Sequence, residues 1–143
     1  MSKDKINPSN ISMTKDTMQV SKLVELYDNR ELIFDSKKKY DTASKVEVIE
    51  SLLLKIDTGT YVFSYDGGYK IVSGGRRVEA IIGFIKGHFS LDNSILDDFE
   101  GMNYKELHSR EKRTIKNSVL TTMTFEANMS DKVKKTIFAR LIK

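Results

Sequence analysis

The chain has 143 residues, 39% hydrophobic and 31% charged, with a formal net charge of +4 and no cysteine. That length can bury one core, so a single domain is expected, and the missing thiols exclude disulfides, zinc–thiolate sites, iron–sulfur clusters and cysteine nucleophiles. No apolar run approaches the roughly 20 residues of a bilayer-crossing helix, and the opening MSKDKINPSNIS lacks the apolar centre of a signal peptide, so a cytoplasmic protein with no membrane partner is expected.

Residues 1–13 are polar, hold the one proline and show no periodicity; they read as a flexible arm ahead of a single domain over 14–143. A helical pattern begins at Thr17, with Val20, Leu23, Val24 and Tyr27 on one face and Asp28–Asn29 at its end. Glu31–Phe34 reads as a short strand. The polar loop after it carries Lys37, Lys38 and Lys39, a set that suits either phosphate or solvent. Residues 44–56 place Val46, Ile49, Leu52, Leu53 and Ile56 on one helical stripe, with Ser44 as N-cap and Glu47 three residues later.

Tyr61–Tyr65 and Tyr69–Ser73 are β-rich runs joined by Asp66-Gly67-Gly68, which predicts an antiparallel hairpin. The next helix carries Val78, Ile81, Ile82, Ile85 and Phe89 at helical spacing. An acidic loop over 90–101 with one helical turn follows, then a helix over 104–117 capped by Asn103 with Glu106, a strand over 119–127, and a last helix capped by Ser130–Asp131 with Val133, Ile137, Phe138 and Leu141 inward. The sum is a small α+β domain: a short mixed sheet that includes a hairpin, flanked by helices. Residues 111–143 hold eight basic and three acidic side chains, so the positive excess lies there and offers either a face for a polyanion or a solvated helix surface.

The chemistry concentrates where the hairpin's second strand enters a helix, at Ser73-Gly74-Gly75-Arg76-Arg77. The first backbone N–H groups of a helix lack intrahelical partners, glycines admit a ligand close to them, and the dipole there favours an anion. Arg76 and Arg77 would add fork-shaped donors for phosphate. Two glycines are also what a sharp turn needs, so site and turn both remain open. No P-loop or G-x-G-x-x-G spacing occurs. His88 and His108 lack partners at ligand spacing, and no metal site is supported. Asp92, Asp97, Asp98 and Glu100 suit either a magnesium ion or water. Glu79 is the acidic residue nearest the turn, as a base for hydrolysis or as a surface ion-pair partner, and Asp66 lies at the far end of the strand.

Read together, VEVIESLLLKI, YKIVSGGRRVEAIIGFIKGHFSL, LDDFEGMNYKEL and IFARL resemble the N-terminal domain of GmrSD-type modification-dependent restriction enzymes, a family with a ParB/sulfiredoxin-like fold; the resemblance spans about residues 17–142. Ile49, Glu50, Ser51 and Leu52 match the family's first helix. Gly74, Arg77 and Val78 match its central motif, Phe84, Gly87, Phe89 and Leu91 the spacer after it, and Phe138, Arg140 and Leu141 its terminal pattern. Ser73 stands where the family has aspartate, Gly75 and Arg76 where it has two glutamines, and Ile142 where it has asparagine.

The resemblance implies a ParB-like fold and a nucleotide motif whose carboxylate and amides are gone, leaning toward the G-E-R-R-x-x-A box in which ParB arginines contact nucleotide phosphate. It therefore implies phosphate contact by Ser73, Gly74, Gly75, Arg76 and Arg77, with Glu79, Lys37, Lys38 and Arg140 as secondary candidates. The resemblance leaves the cofactor open, with a nucleoside triphosphate and magnesium as the options. Full family members carry a further helical region and often a separate HNH nuclease domain, and the residues for it are not in this sequence, so nuclease activity is not expected. The expected function is a nucleotide- or nucleic-acid-binding module of the restriction and defence type. The alternative is a phage-type decoy or inhibitor whose partner is a protein of a defence or DNA-processing system. A residual NTPase using Glu79 or Asp66 is a third reading.

Overall fold

The computed structural model describes residues 12–34, 39–126 and 131–141. Strand β1 (Met13–Gln19) leads into helix α1 (Val20–Asp28) and the two-residue strand β2 (Leu32–Ile33). Helix α2 (Thr42–Leu53), the hairpin β3 (Thr60–Tyr65) and β4 (Tyr69–Ser73), and helix α3 (Gly75–Ile85) follow. Single 3-10 turns at Asp97–Phe99 and Tyr104–Glu106 precede helix α4 (Ser109–Lys116), strand β5 (Val119–Phe125) and helix α5 (Asp131–Leu141). The five strands form one mixed sheet in the order β1-β5-β3-β4-β2. The β1/β5 and β3/β4 pairs are antiparallel, and β5/β3 and β4/β2 are parallel. The α+β class and the hairpin are as expected.

Alternation along the strands sends neighbouring side chains to opposite faces. On one face Tyr61 and Phe63, both fully buried, pack with Leu23, Ile49, Val78, Ile81, Phe84 and Ile115 from α1, α2, α3 and α4. Removing one such side chain from water contributes about 1.5–3 kcal/mol, so this layer holds most of the hydrophobic stabilisation. On the other face Val62, Val72 and Phe125 pack with Val133 and Ile137 of α5. Helices therefore cover both faces of the sheet.

Several elements differ from expectation. Met13–Gln19 is a strand, paired residue for residue with Phe125–Val119, so the helix begins at Val20 and the domain takes in residues assigned to the arm. Residues 1–11 lie outside the described set. Asp41, not Ser44, is the N-cap of α2: its carboxylate accepts from the Ser44 N–H at 2.7 Å. The helix ends at Leu53 because Lys55 turns left-handed, with φ +61, and the Ile56 N–H returns to the Ser51 carbonyl at 2.8 Å. Ile56, expected in the stripe, is 55% exposed.

The helix expected over 104–117 is broken. The Asn103 and Glu106 capping box closes one 3-10 turn, Leu107 and His108 are extended, and α4 starts at Ser109. Leu107 is 4% exposed, so the break drops an apolar side chain into the core between two short helical pieces. Ser130 lies outside the described residues, as do the side chains of Phe138 and Leu141.

Candidate functional site

At the end of β4 the register against β3 shifts by one residue between Val62 and Phe63, a bulge immediately before Gly74. Gly74 takes φ +95, a conformation that side-chain-bearing residues rarely adopt, and it serves as the N-cap of α3 with no side-chain capping bond. The Val78 N–H returns to the Gly74 carbonyl at 2.8 Å. The N–H groups of Gly75, Arg76 and Arg77 have no partner among the described residues. The Tyr40 hydroxyl lies over this end of the helix, 3.1 Å from where a Cβ on Gly75 would stand. Ser73 is the last residue of β4 and pairs with Val62.

The two arginines have different fates. Arg76, in the first turn of α3, is exposed and has no ion-pair partner among the described residues. Arg77 turns the other way. Its guanidinium donates to the carbonyls of Thr58 and Thr60, the latter at 2.9 Å, and stacks over the Tyr61 ring with its central carbon 4.3 Å from the centroid. Tyr61 is fully buried, and its hydroxyl bonds Thr58 Oγ1 at 2.6 Å. Burial pushes the phenol above its ordinary pKa, partly opposed by the bond to Thr58, which keeps the ring neutral beneath the cation.

The close approach explains two glycines. A Cβ on Gly59, at φ +95, would stand 2.8 Å from Arg77 Nη1, and one on Gly74 would stand 3.0 Å from both Arg77 Nη2 and the Tyr61 ring. Arg77 is therefore a clasp between α3 and the loop before β3, with both terminal nitrogens engaged. In sequence it reads as a phosphate ligand instead. The reason is geometric: five donors in one plane fit the nearby Thr58 and Thr60 carbonyls as well as they fit a phosphate.

The secondary candidates do not gather at the turn. Glu79 faces α2, where Lys45 Nζ lies 3.5 Å from its carboxylate, and Lys45 also sits 5.4 Å from the Phe89 ring centroid. Arg140 is exposed in the last turn of α5, in the layer across the sheet from α3. Lys37 and Lys38 lie outside the described residues. The basic excess of 111–143 is split: α4 packs its Ile115 into the main core while α5 covers the opposite face, so these residues do not make one surface.

Sequence reasoning missed Asp41 as a neighbour of the site. Hydrogen bonds from the Ser44 N–H and hydroxyl hold its carboxyl below the usual value of 3.8, and the positive charge of Arg76 adds a smaller push in the same direction. Asp41 thus caps the start of α2 within reach of the charge of Arg76. The signal available in the sequence was Asp41-x-x-Ser44, a cap spacing as good as the one based on Ser44.

The acidic loop works inward as well. Glu100 accepts from the N–H groups of Asn93 at 3.0 Å and Ser94 at 3.1 Å, and the 6%-exposed Glu50 of α2 accepts from Ser94 Oγ at 2.7 Å and the Ile95 N–H at 2.8 Å. Among the described residues no group of three or more carboxylate or imidazole side chains is placed to hold a metal ion. No helix among them is long and apolar enough to cross a membrane. No family model matches this chain, no curated protein matches it in sequence and no solved structure matches it in fold.

Proposed function

We propose that this chain is a ParB-like phosphate-recognising module for a nucleotide or nucleic acid, of the restriction and defence type. One observation carries the reading: the start of α3, where Gly74 gives no side-chain cap and three successive N–H groups have no partner among the described residues, beside the exposed Arg76, which has no ion-pair partner among them. Helix N-termini of this kind attract anions through both the free donors and the dipole. Two arginines on a first turn are disfavoured by that dipole unless an anion or another acceptor offsets them. Arg77 has its acceptors in Thr58 and Thr60, and the remaining cation, Arg76, is the one that a phosphate would satisfy. The Tyr40 hydroxyl is a further donor at the same end.

The test is a thermal-shift panel of nucleoside triphosphates, with and without magnesium, and short DNAs. A nucleotide or DNA raises the melting temperature, Arg76→Ala removes the increment, and binding weakens in high salt as contact with phosphate charge requires. Absence of any increment across the panel refutes the reading.

A further inference from the structure

On the far side of the loop that Arg77 clasps lies a cleft of about 580 Å³, between the end of α2, the outer side of α4 and the start of β5. Lys55, Arg110 and Arg113 line it with a single carboxylate, Asp57. Asp57 is already engaged, accepting from the Gly59 N–H at 2.9 Å. Neither Lys55 nor Arg113 has an ion-pair partner among the described residues. Arg110 pairs with Glu111 through Nε at 2.9 Å, which leaves its two terminal nitrogens for another acceptor.

The charges can be weighed. The C-terminal ends of α2 and α4 both border the cleft, and each brings roughly half a negative charge, so Lys55 and Arg113 serve in part as helix-end partners. Together with Asp57 and the Glu111 carboxylate paired to Arg110, those two ends offset about as much charge as the three cations bring, so the draw for an anion lies in the donors that have no acceptor among the described residues: Lys55, Arg113 and the terminal nitrogens of Arg110. Lys55 also holds the left-handed φ of +61 at the cleft's edge, a position where glycine is usual and a lysine carries a backbone cost. Arg30 closes α1 in the same way with φ +60, so that geometry has a plain structural use and only the convergence of cations distinguishes the cleft.

The cleft is far larger than an inorganic anion needs and falls within the range of small-molecule sites. Its apolar lining includes Leu52, Ile56 and Val119; Ile56 is 55% exposed and Val119 60%. A charged rim beside an open apolar wall fits a ligand with an anionic head and an apolar body. We infer that this cleft is a second binding site, separate from the start of α3, for a small organic phosphate of mononucleotide size. The Arg110 and Arg113 forks take the phosphate, and the Ile56 and Val119 side chains take the body. Arg77 is a positioning residue for this site, since its bonds to the Thr58 and Thr60 carbonyls fix the loop that forms one wall.

The experiment is a titration of the full chain with AMP, followed by amide chemical shifts, with adenosine, inorganic phosphate and a short single-stranded DNA as parallel arms. AMP gives saturable shifts at Thr58, Ser118 and Thr121. The Arg110→Ala/Arg113→Ala double substitution weakens AMP at least about tenfold, as loss of charge-assisted bonds does. Arg76→Ala leaves AMP binding at the cleft within about twofold, which separates this site from the one at α3. Four results would overturn the inference: no saturable shifts at the cleft; AMP affinity unchanged in the double variant; inorganic phosphate or adenosine binding as tightly as AMP; and DNA occupying the cleft in preference to AMP. Because both arginines are exposed, circular dichroism of the double variant is expected to match the native chain, and a folded variant that binds normally counts against the inference.

Discussion

Replacing Arg77 by alanine separates a structural clasp from a ligand contact. The substitution removes two bonds from a charged donor to the Thr58 and Thr60 carbonyls and a cation stacked over Tyr61. A bond to a charged group contributes about 1.5–3 kcal/mol and an exposed stack about 0.5–1 kcal/mol. Arg77 is half-buried, so water can reach the carbonyls it leaves and the lower ends apply, giving a loss on the order of 3 kcal/mol. With an unfolding entropy of about 0.3 kcal/mol/K for a chain this long, the melting temperature falls by about 10 °C. Arg77→Lys loses about half as much, because one ammonium reaches one carbonyl and cannot stack as a plane. Arg76→Ala, at an exposed position, stays within about 0.5 kcal/mol. Urea denaturation and calorimetry of the three variants check this ordering. A melting temperature for Arg77→Ala within about 2 °C of the native chain, or an equal drop for Arg76→Ala, would refute the clasp.

Gly74→Ala should destabilise more than Gly67→Ala by about 1–2 kcal/mol, since both positions have positive φ but only the Gly74 Cβ meets atoms at 3.0 Å; urea midpoints decide it. Asp41→Asn keeps a capping side chain and removes the titration. A lowered folded-state pKa stabilises above the unfolded value and the contribution fades as pH falls through the folded one, so the native chain's advantage is present at neutral pH and narrows below about 3.8. Denaturation series at both pH values test this, and an advantage that does not change with pH would contradict it. Glu50→Ala removes the acceptor for Ser94 and Ile95 at a buried site; a loss of about 2 kcal/mol and faster exchange of the Ile95 amide are expected, read by hydrogen exchange.

The helices and the hairpin were legible because their side chains repeat with the period of the element that buries them: Val46, Ile49 and Leu52 in α2, and Val78, Ile81 and Phe84 in α3. β1 was not, since its seven residues are exposed apart from half-buried Met18 and its place is set by a backbone ladder to β5 that leaves no apolar alternation in the sequence. The break at Leu107 and His108 was hidden for a related reason. Leu107 is buried by a turn in the chain, and a helical reading of 104–117 keeps the capping signal at Asn103 and Glu106 intact. At the candidate site the turn chemistry of Gly74 and Gly75 was readable from neighbours in sequence. The roles of the two arginines were not, because the acceptors that distinguish them lie 17 and 19 residues before Arg77, in a loop whose position depends on the whole sheet.

The order of the sheet also sets an order in time. β3, β4 and β2 can pair as soon as residue 73 has been made, when α1 and α2 are complete and α3 is next in the chain. β1 has no such neighbour: Met13 pairs with Phe125 and Gln19 with Val119, so the strand near the start of the described chain waits until β5 leaves the ribosome. The parallel pairing of Thr60–Ser64 with Thr121–Phe125 waits for the same moment. Contacts that span so much chain close slowly and leave the open edge of β3 exposed in the interval. Folding of this domain is thus limited by the arrival of one strand, and it is through β5 that its N-terminal residues become part of the structure.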